Sequence, residues 1–260
     1  MFVARDVDVT LGKTSVLRGV NFQARAGEIT AIVGPNGSGK TTLLRAMTGD
    51  IAFSGTVEMA GRSIREAPGW WLAERRAVLA QSARLAFPFT VYEVVRLGLS
   101  ASTAPDERRI DAALERVGLG GFAGRFYHEL SGGEQQRVQL ARVLVQVWEP
   151  VALDGDPAWL FLDEPVSALD IGHQLEVMEV ARDFAQRGGG VVAVMHDLNL
   201  TAMYAASVAL LTEGRLVGQD TPAAIMTDAQ LSKAYGCTVR VGVAPAGGIP
   251  FILPQMAQPQ

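Results

Sequence analysis

Residues 34 to 41 read Gly-Pro-Asn-Gly-Ser-Gly-Lys-Thr, directly after the apolar run Ile29 to Val33. The pattern G-x-x-x-x-G-K-[ST] requires a strand to deliver a tight loop and a helix to leave it, so that backbone N–H groups converge on phosphate oxygens. Gly34, Gly37 and Gly39 let successive amides turn inward, Lys40 adds a point charge, and the Thr41 hydroxyl suits Mg²⁺. The helix expected over Thr41 to Met47 presents its positive end to the phosphates and stops at Gly49, a C′ glycine.

Two further apolar runs end in reactive residues. Ala158 to Leu162 stops at Asp163-Glu164-Pro165, and Val191 to Met195 stops at His196-Asp197. Uninterrupted apolar runs of this length fit strands buried on both faces of a parallel sheet. Ligands of such sheets bind beyond the carboxyl ends of the strands, which places the P-loop, Asp163, Glu164 and His196 on one edge. A carboxylate pair beside a phosphate cradle suits a division of labour, with Asp163 on Mg²⁺ and Glu164 free to orient and polarise water.

The fold class expected is α/β, a P-loop core with a mostly parallel sheet, an N-terminal antiparallel β subdomain and an inserted helical subdomain. Short alternating strands at Phe2 to Leu11, Val20 to Ala24 and Gly55 to Ala60 belong to the antiparallel part. The whole chain, 1–260, reads as one domain. Residues 1–87 hold the antiparallel strands and P-loop, 88–150 the helices, with a small-residue loop at Ser100 to Pro105, and 151–260 the rest of the core. Thr221-Pro222 is read as an N-cap and N1 pair, Thr227 with Gln230 as a capping box whose helix ends at Gly236, and Met256 to Gln260 as a frayed terminus.

Within the helical stretch, Leu130-Ser131-Gly132-Gly133-Glu134 places two glycines in a first turn. Glycine costs roughly 1 kcal/mol relative to alanine inside a helix, so the pair implies a close approach by another group. Ser131 and Glu134 have capping-box spacing. The helix beyond is expected to carry Val138, Ala141, Leu144, Val145 and Trp148 on its buried face, with Gln139, Arg142 and Gln146 turned away.

Composition excludes several classes. With 260 residues, 48% hydrophobic, 19% charged and a net charge of −4, the chain reads as globular and lacks the basic surface of a nucleic-acid binder. No run of about 18 apolar residues occurs, and Met1 to Asp6 lacks a signal-peptide pattern, so neither membrane spanning nor secretion is expected. The single cysteine, Cys237, allows no internal disulfide and is expected to be a buried or inert thiol. So few charges on so apolar a chain suggest surface covered by a partner.

Together these segments resemble the nucleotide-binding subunit of an ATP-binding cassette transporter over nearly the whole length. Gly34, Pro35, Asn36, Gly37, Ser38, Gly39, Lys40, Thr41 and Thr42 correspond to the Walker A motif and its extension, and Gln81 to the Q-loop. Leu130 to Glu134 correspond to the family signature, Leu160 to Glu164 to Walker B, Ser167 to Asp170 to the D-loop, and His196 to the switch histidine. The resemblance implies ATP as substrate, Mg²⁺ held by Thr41, Gln81 and Asp163, and catalysis by Glu164 with Gln81 and His196 as sensors. It implies that Ser131, Gly132, Gly133 and Glu134 act in trans on a nucleotide bound by a second copy, giving a homodimer with sandwiched nucleotides. It further implies two transmembrane permease subunits, an indirect link to a periplasmic solute-binding protein, no nucleic-acid partner, and a place on the cytoplasmic face of the inner membrane.

His196 to Leu200 and Leu169 to Gln174 are similar to ATPases of iron-siderophore, heme and cobalamin importers. Phe87 to Val91 and the long connection Trp148 to Pro157 look most like the heme-importing branch, with siderophore or cobalamin import as the alternative. Phe87 and Phe89 suit either small-core packing or contact with a membrane partner. Val166 stands where the family usually has threonine, and Leu11-Gly12 where many members stack an aromatic on adenine, which shifts affinity toward phosphates and Mg²⁺. A soluble cassette acting on ribosomes or DNA is disfavoured by the single cassette and the acidic balance, and a non-hydrolysing regulatory cassette by Glu164 and His196.

Overall fold

The computed structural model describes residues 1–81, 87–101, 105–248 and 250–257. In chain order the elements are β1 (Phe2–Leu11), β2 (Thr14–Ala24), β3 (Ile29–Val33), α1 (Lys40–Met47), β4 (Ser54–Met59), β5 (Arg62–Ser63), α2 (Gly69–Arg75) and β6 (Arg76–Leu79). Helices α3 (Val91–Arg96), α4 (Arg108–Arg116) and α5 (Gly132–Gln146) follow, then β7 (Trp159–Asp163), α6 (Ile171–Gln186), β8 (Gly190–Val194) and α7 (Leu198–Tyr204). The chain continues through β9 (Ser207–Thr212), β10 (Arg215–Asp220), α8 (Pro222–Ile225) and α9 (Asp228–Tyr235).

Two sheets form. The antiparallel one has the order β2-β1-β4-β5, and the larger has the order β10-β9-β3-β8-β7-β6, parallel throughout except for β10 on β9. The α/β class with its antiparallel part and inserted helices is therefore as expected. Side-chain alternation explains the uninterrupted apolar runs. In β7, Trp159 and Phe161 enter a core shared with α1 and the antiparallel sheet, while Leu160 and Leu162 enter the opposite core beneath α5 and α6. Phe2 reaches from β1 to both aromatic rings of that strand, with centroids 5.6 Å from Trp159 and 5.2 Å from Phe161.

Helix α5 differs from the amphipathic element anticipated. It ends at Gln146, so Trp148 lies beyond it, and Gln139 is buried. The physical reason is that α5 packs against α3, α4 and β6 at once, so its polar residues satisfy buried groups. Gln139 Nε2 donates to the Tyr127 hydroxyl at 3.1 Å, and Gln146 Nε2 to the carbonyls of Ala73 and Arg76, each at 2.9 Å. Burial lowers the Arg142 pKa, and its guanidinium meets Gln139 Oε1 at 2.8 Å.

Smaller departures have local causes. Strand β2 begins at Thr14 rather than Val20, because Leu11 pairs with Thr14 and the hairpin closes early. Thr227 accepts from the Gln230 N–H at 3.3 Å, but the Gln230 amide turns to Ala224 O at 3.4 Å, so only half of the capping box forms. Gly236 ends α9 in the left-handed region as expected, and Cys237 just beyond it is exposed rather than buried. Met256 closes a short 3₁₀ turn whose Pro254 is buried, so the expected fraying does not start there; residues 258–260 lie outside the described ones, as do 102–104 of the small-residue loop. Phe87 is 71% exposed while Phe89 packs partly on the core, their rings 6.2 Å apart. No helix among the described residues is long and apolar enough to cross a membrane.

Candidate active site

The loop after β3 is built by its own glycines. Gly34 has φ 150°, and a Cβ there would lie 2.0 Å from the carbonyl oxygen of Leu211. Gly39, φ 103°, is the N-cap of α1 and makes no side-chain cap, so the first amides of that helix have no side-chain acceptor at the cap. Lys40 Nζ donates to the carbonyls of Gly34 and Pro35, each at 3.0 Å. Burial pushes the Lys40 pKa down, opposed by the carboxylates of Glu164 and Asp163. The loop thus holds its cation ready over a concave run of backbone.

Strand β7 carries Asp163 under that loop. Thr41 Oγ1 donates to Asp163 Oδ1 at 3.1 Å, and Asp163 is only 4% exposed. Burial pushes its pKa up, with the Thr41 hydrogen bond acting against that shift. Two hard oxygen donors side by side at the base of a phosphate cradle fit Mg²⁺, which takes one or two protein ligands and completes its shell with phosphate and water. Among the described residues no group of three or more His, Cys, Asp or Glu side chains could hold a metal ion.

Glu164 follows with φ 53°, a left-handed conformation rarely taken by a residue with a side chain. Its carboxylate is gripped from two sides. Gln81 Nε2 donates to Oε2 at 2.8 Å, and His196 Nε2 lies 2.5 Å from Oε1. Gln81 follows β6 and His196 follows β8, so the ends of three adjacent strands converge on one carboxylate. Asn36, Gly37, Gly39, Lys40, Thr41, Thr42, Gln81, Glu164 and His196 line a single cavity of about 730 Å³. Gly34, Pro35, Ser38 and Asp163 form its underlying support, with Ser38 buried.

The signature turn stands apart from this cavity. Ser131, Gly132, Gly133 and Glu134 do not line it. Ser131 caps α5 in the anticipated box: its N–H and hydroxyl both donate to Glu134 Oε2 at 2.7 Å, and Glu134 N–H returns to Ser131 Oγ at 3.4 Å. Those bonds hold the Glu134 carboxyl below the usual range. The glycines part company. A Cβ at Gly133 would lie 3.1 Å from Leu169 Cδ2, a close approach within the chain, whereas nothing of the chain comes within 4 Å of one at Gly132.

Sequence reasoning missed two contributions. Leu11 and Val16 line the cavity as an aliphatic wall, and Gln136 Nε2 donates to the Glu164 carbonyl at 2.9 Å. In the sequence Leu11 is marked only by the aromatic it replaces. Gln136 did carry a signal, since it lies three residues beyond Gly133 and therefore on the same helix face.

A family model described as ABC transporter matches residues 17–167 of the chain. The hemin import ATP-binding protein HmuV of Jannaschia sp. (strain CCS1) is 60% identical over 259 residues, covering 99% of this chain and 96% of that protein. The protein of the same name from Roseobacter denitrificans is 58% identical over 255 residues, covering 98% and 97%. A solved ATP-binding subunit of an ABC transporter superposes with TM-score 0.77 at 23% identity, covering 92% of this chain and 95% of that one. The chain belongs to the ABC transporter family and is an ATPase domain of that type.

Proposed function

We propose that the chain is the ATP-hydrolysing subunit of an importer of hemin. The geometric observation behind the hydrolytic part is the Glu164 carboxylate, fixed between Gln81 and His196 at the mouth of the P-loop cavity. The cargo is inferred from relatives of near-equal length that carry the name hemin import ATP-binding protein.

In this reading ATP seats its phosphates on the amides from Gly37 to Thr42, and Lys40 exchanges the carbonyls of Gly34 and Pro35 for phosphate oxygens. Thr41 and Asp163, with Gln81 nearby, would hold Mg²⁺, which when bound neutralises phosphate charge. Glu164 orients the attacking water and takes its proton, while His196 and Gln81 keep the carboxylate aimed in line with the γ-phosphate. Ser131, Gly132, Gly133 and Glu134 of a second copy close over that phosphate. Hydrolysis therefore belongs to a nucleotide-sandwich homodimer docked on two permease subunits at the cytoplasmic face of the inner membrane. A periplasmic solute-binding protein takes part only through the permease. Hemin itself need not touch the chain.

Glu164→Gln keeps an amide-compatible shape but loses the base. It is expected to bind ATP with unchanged affinity while turnover in the assembled transporter falls by about 100-fold or more; turnover near the wild-type rate would overturn the assignment. For the cargo, the complex in proteoliposomes is expected to hydrolyse ATP faster with hemin-loaded binding protein than with ferric siderophore or cobalamin. Preference for either of those would replace hemin as the substrate.

A further inference from the structure

The Glu164 main chain is held as deliberately as its carboxylate. Its N–H donates to Val194 O at 3.1 Å, and its carbonyl accepts Gln136 Nε2 at 2.9 Å, Ser167 Oγ at 3.2 Å and Ser167 N–H at 3.3 Å. Of these donors only Gln136 comes from outside the turn that follows β7. It belongs to α5, whose Gly133 already lies against Ala168 and Leu169 of that turn. The turn is braced from its far side by Gln174 Nε2, which donates to Val166 O at 3.3 Å and Leu169 O at 3.1 Å.

A residue with φ 53° stays there only if its surroundings over-determine it. The peptide planes on either side of Glu164, one anchored through its N–H on Val194 and the other through its carbonyl on Gln136 and Ser167, together set the direction of its Cα–Cβ bond, and thereby where the carboxylate emerges between Gln81 and His196. Without the Gln136 amide, the plane after Glu164 is held by local donors alone and can rotate toward commoner backbone angles. The carboxylate would then leave the in-line position while the P-loop stayed intact.

We infer that Gln136 is a positioning residue for hydrolysis: through the Glu164 carbonyl it makes the aim of the Glu164 carboxylate depend on where α5 sits. Because α5 also begins with the signature turn, the helix that covers a nucleotide in the partner copy is the same one that sets Glu164 in its own chain. The inference rests on the water-orienting role proposed for Glu164.

Gln136→Leu removes the donor at similar volume. In the assembled transporter its kcat is expected to fall about tenfold, with ATP affinity, KM and melting temperature close to wild type. In single-turnover hydrolysis, Gln136→Leu added to Glu164→Gln is expected to cause no further loss, since a residue acting only through the carboxylate has nothing left to position. Turnover of Gln136→Leu within twofold of wild type, or an equal tenfold drop in the Glu164→Gln background, would overturn the proposal. If Gln136→Leu does not fold, Gln136→Glu keeps the length and removes the amide donor, and is read in the same way. Normal turnover by Glu164→Gln alone would instead remove the role of Glu164, a separate outcome from either result for Gln136.

Discussion

Helices α1 and α5 both start at glycine-rich turns, yet they leave their first amides in opposite states. At α1 the N-cap is Gly39, with no side-chain acceptor, and Lys40 rests on carbonyls of its own loop. At α5 the N-cap is Ser131, whose hydroxyl and N–H are both occupied by Glu134. One helix start lacks a side-chain cap and lines a cavity; the other is closed by its own sequence and lies outside that cavity. The difference teaches that an anion site within a chain can be built by withholding a cap. On the proposed in-trans role of Ser131 to Glu134, the turn must stay folded alone before it meets another molecule, and a capping box does that.

The glycines offer the largest way to break this comparison. Gly34→Ala places a Cβ 2.0 Å from Leu211 O, so it should cost about 3 kcal/mol in urea unfolding and abolish ATP binding. Retained binding would mean the loop is not held against β9 as described. Next in size, Ser131→Ala removes both the cap and the hydroxyl. It should cost about 1 kcal/mol of stability, leave ATP binding by dilute protein intact, and lower turnover of the assembled transporter about tenfold. Loss of ATP binding in the dilute protein would show that the two helix starts are not separate sites.

The smallest effects separate the paired glycines. Gly133→Ala must push Leu169 aside and should destabilise by about 1 kcal/mol, measurable as a lower melting temperature. Gly132→Ala meets open space and should stabilise the free chain by about 0.5 kcal/mol, yet reduce turnover in the proposed dimer, where its Cβ would face the partner's nucleotide. Equal turnover for Gly132→Ala and wild type would indicate that nothing packs on that face.

Much of the site was legible because its parts are local. The P-loop, the Asp163-Glu164 step after an apolar run, and His196 after another each announce a strand end, and the edge rule for parallel sheets assembles them without coordinates. The capping box at Ser131 and Glu134 formed as its spacing implied. What stayed hidden needs three dimensions. Gln139 and Gln146 look like solvent-facing helix residues until α5 is enclosed by β6 and neighbouring helices, and the Gln136 bond to Glu164 spans 28 residues of chain. Leu11 and Val16 sit in the N-terminal sheet with no local mark of a cavity wall.

The sequence by itself determined the α/β architecture and the strand ends that bear chemistry, because hydrophobic period and glycine spacing act over a few residues, and its ordered motifs carried the resemblance to the family. Only the tertiary structure decided that Glu164 adopts a left-handed backbone, and that Gln81, His196 and Gln136 hold it from three different elements. Left-handed strain in a residue other than glycine is maintained by contacts from distant segments, and no local pattern encodes contacts of that kind.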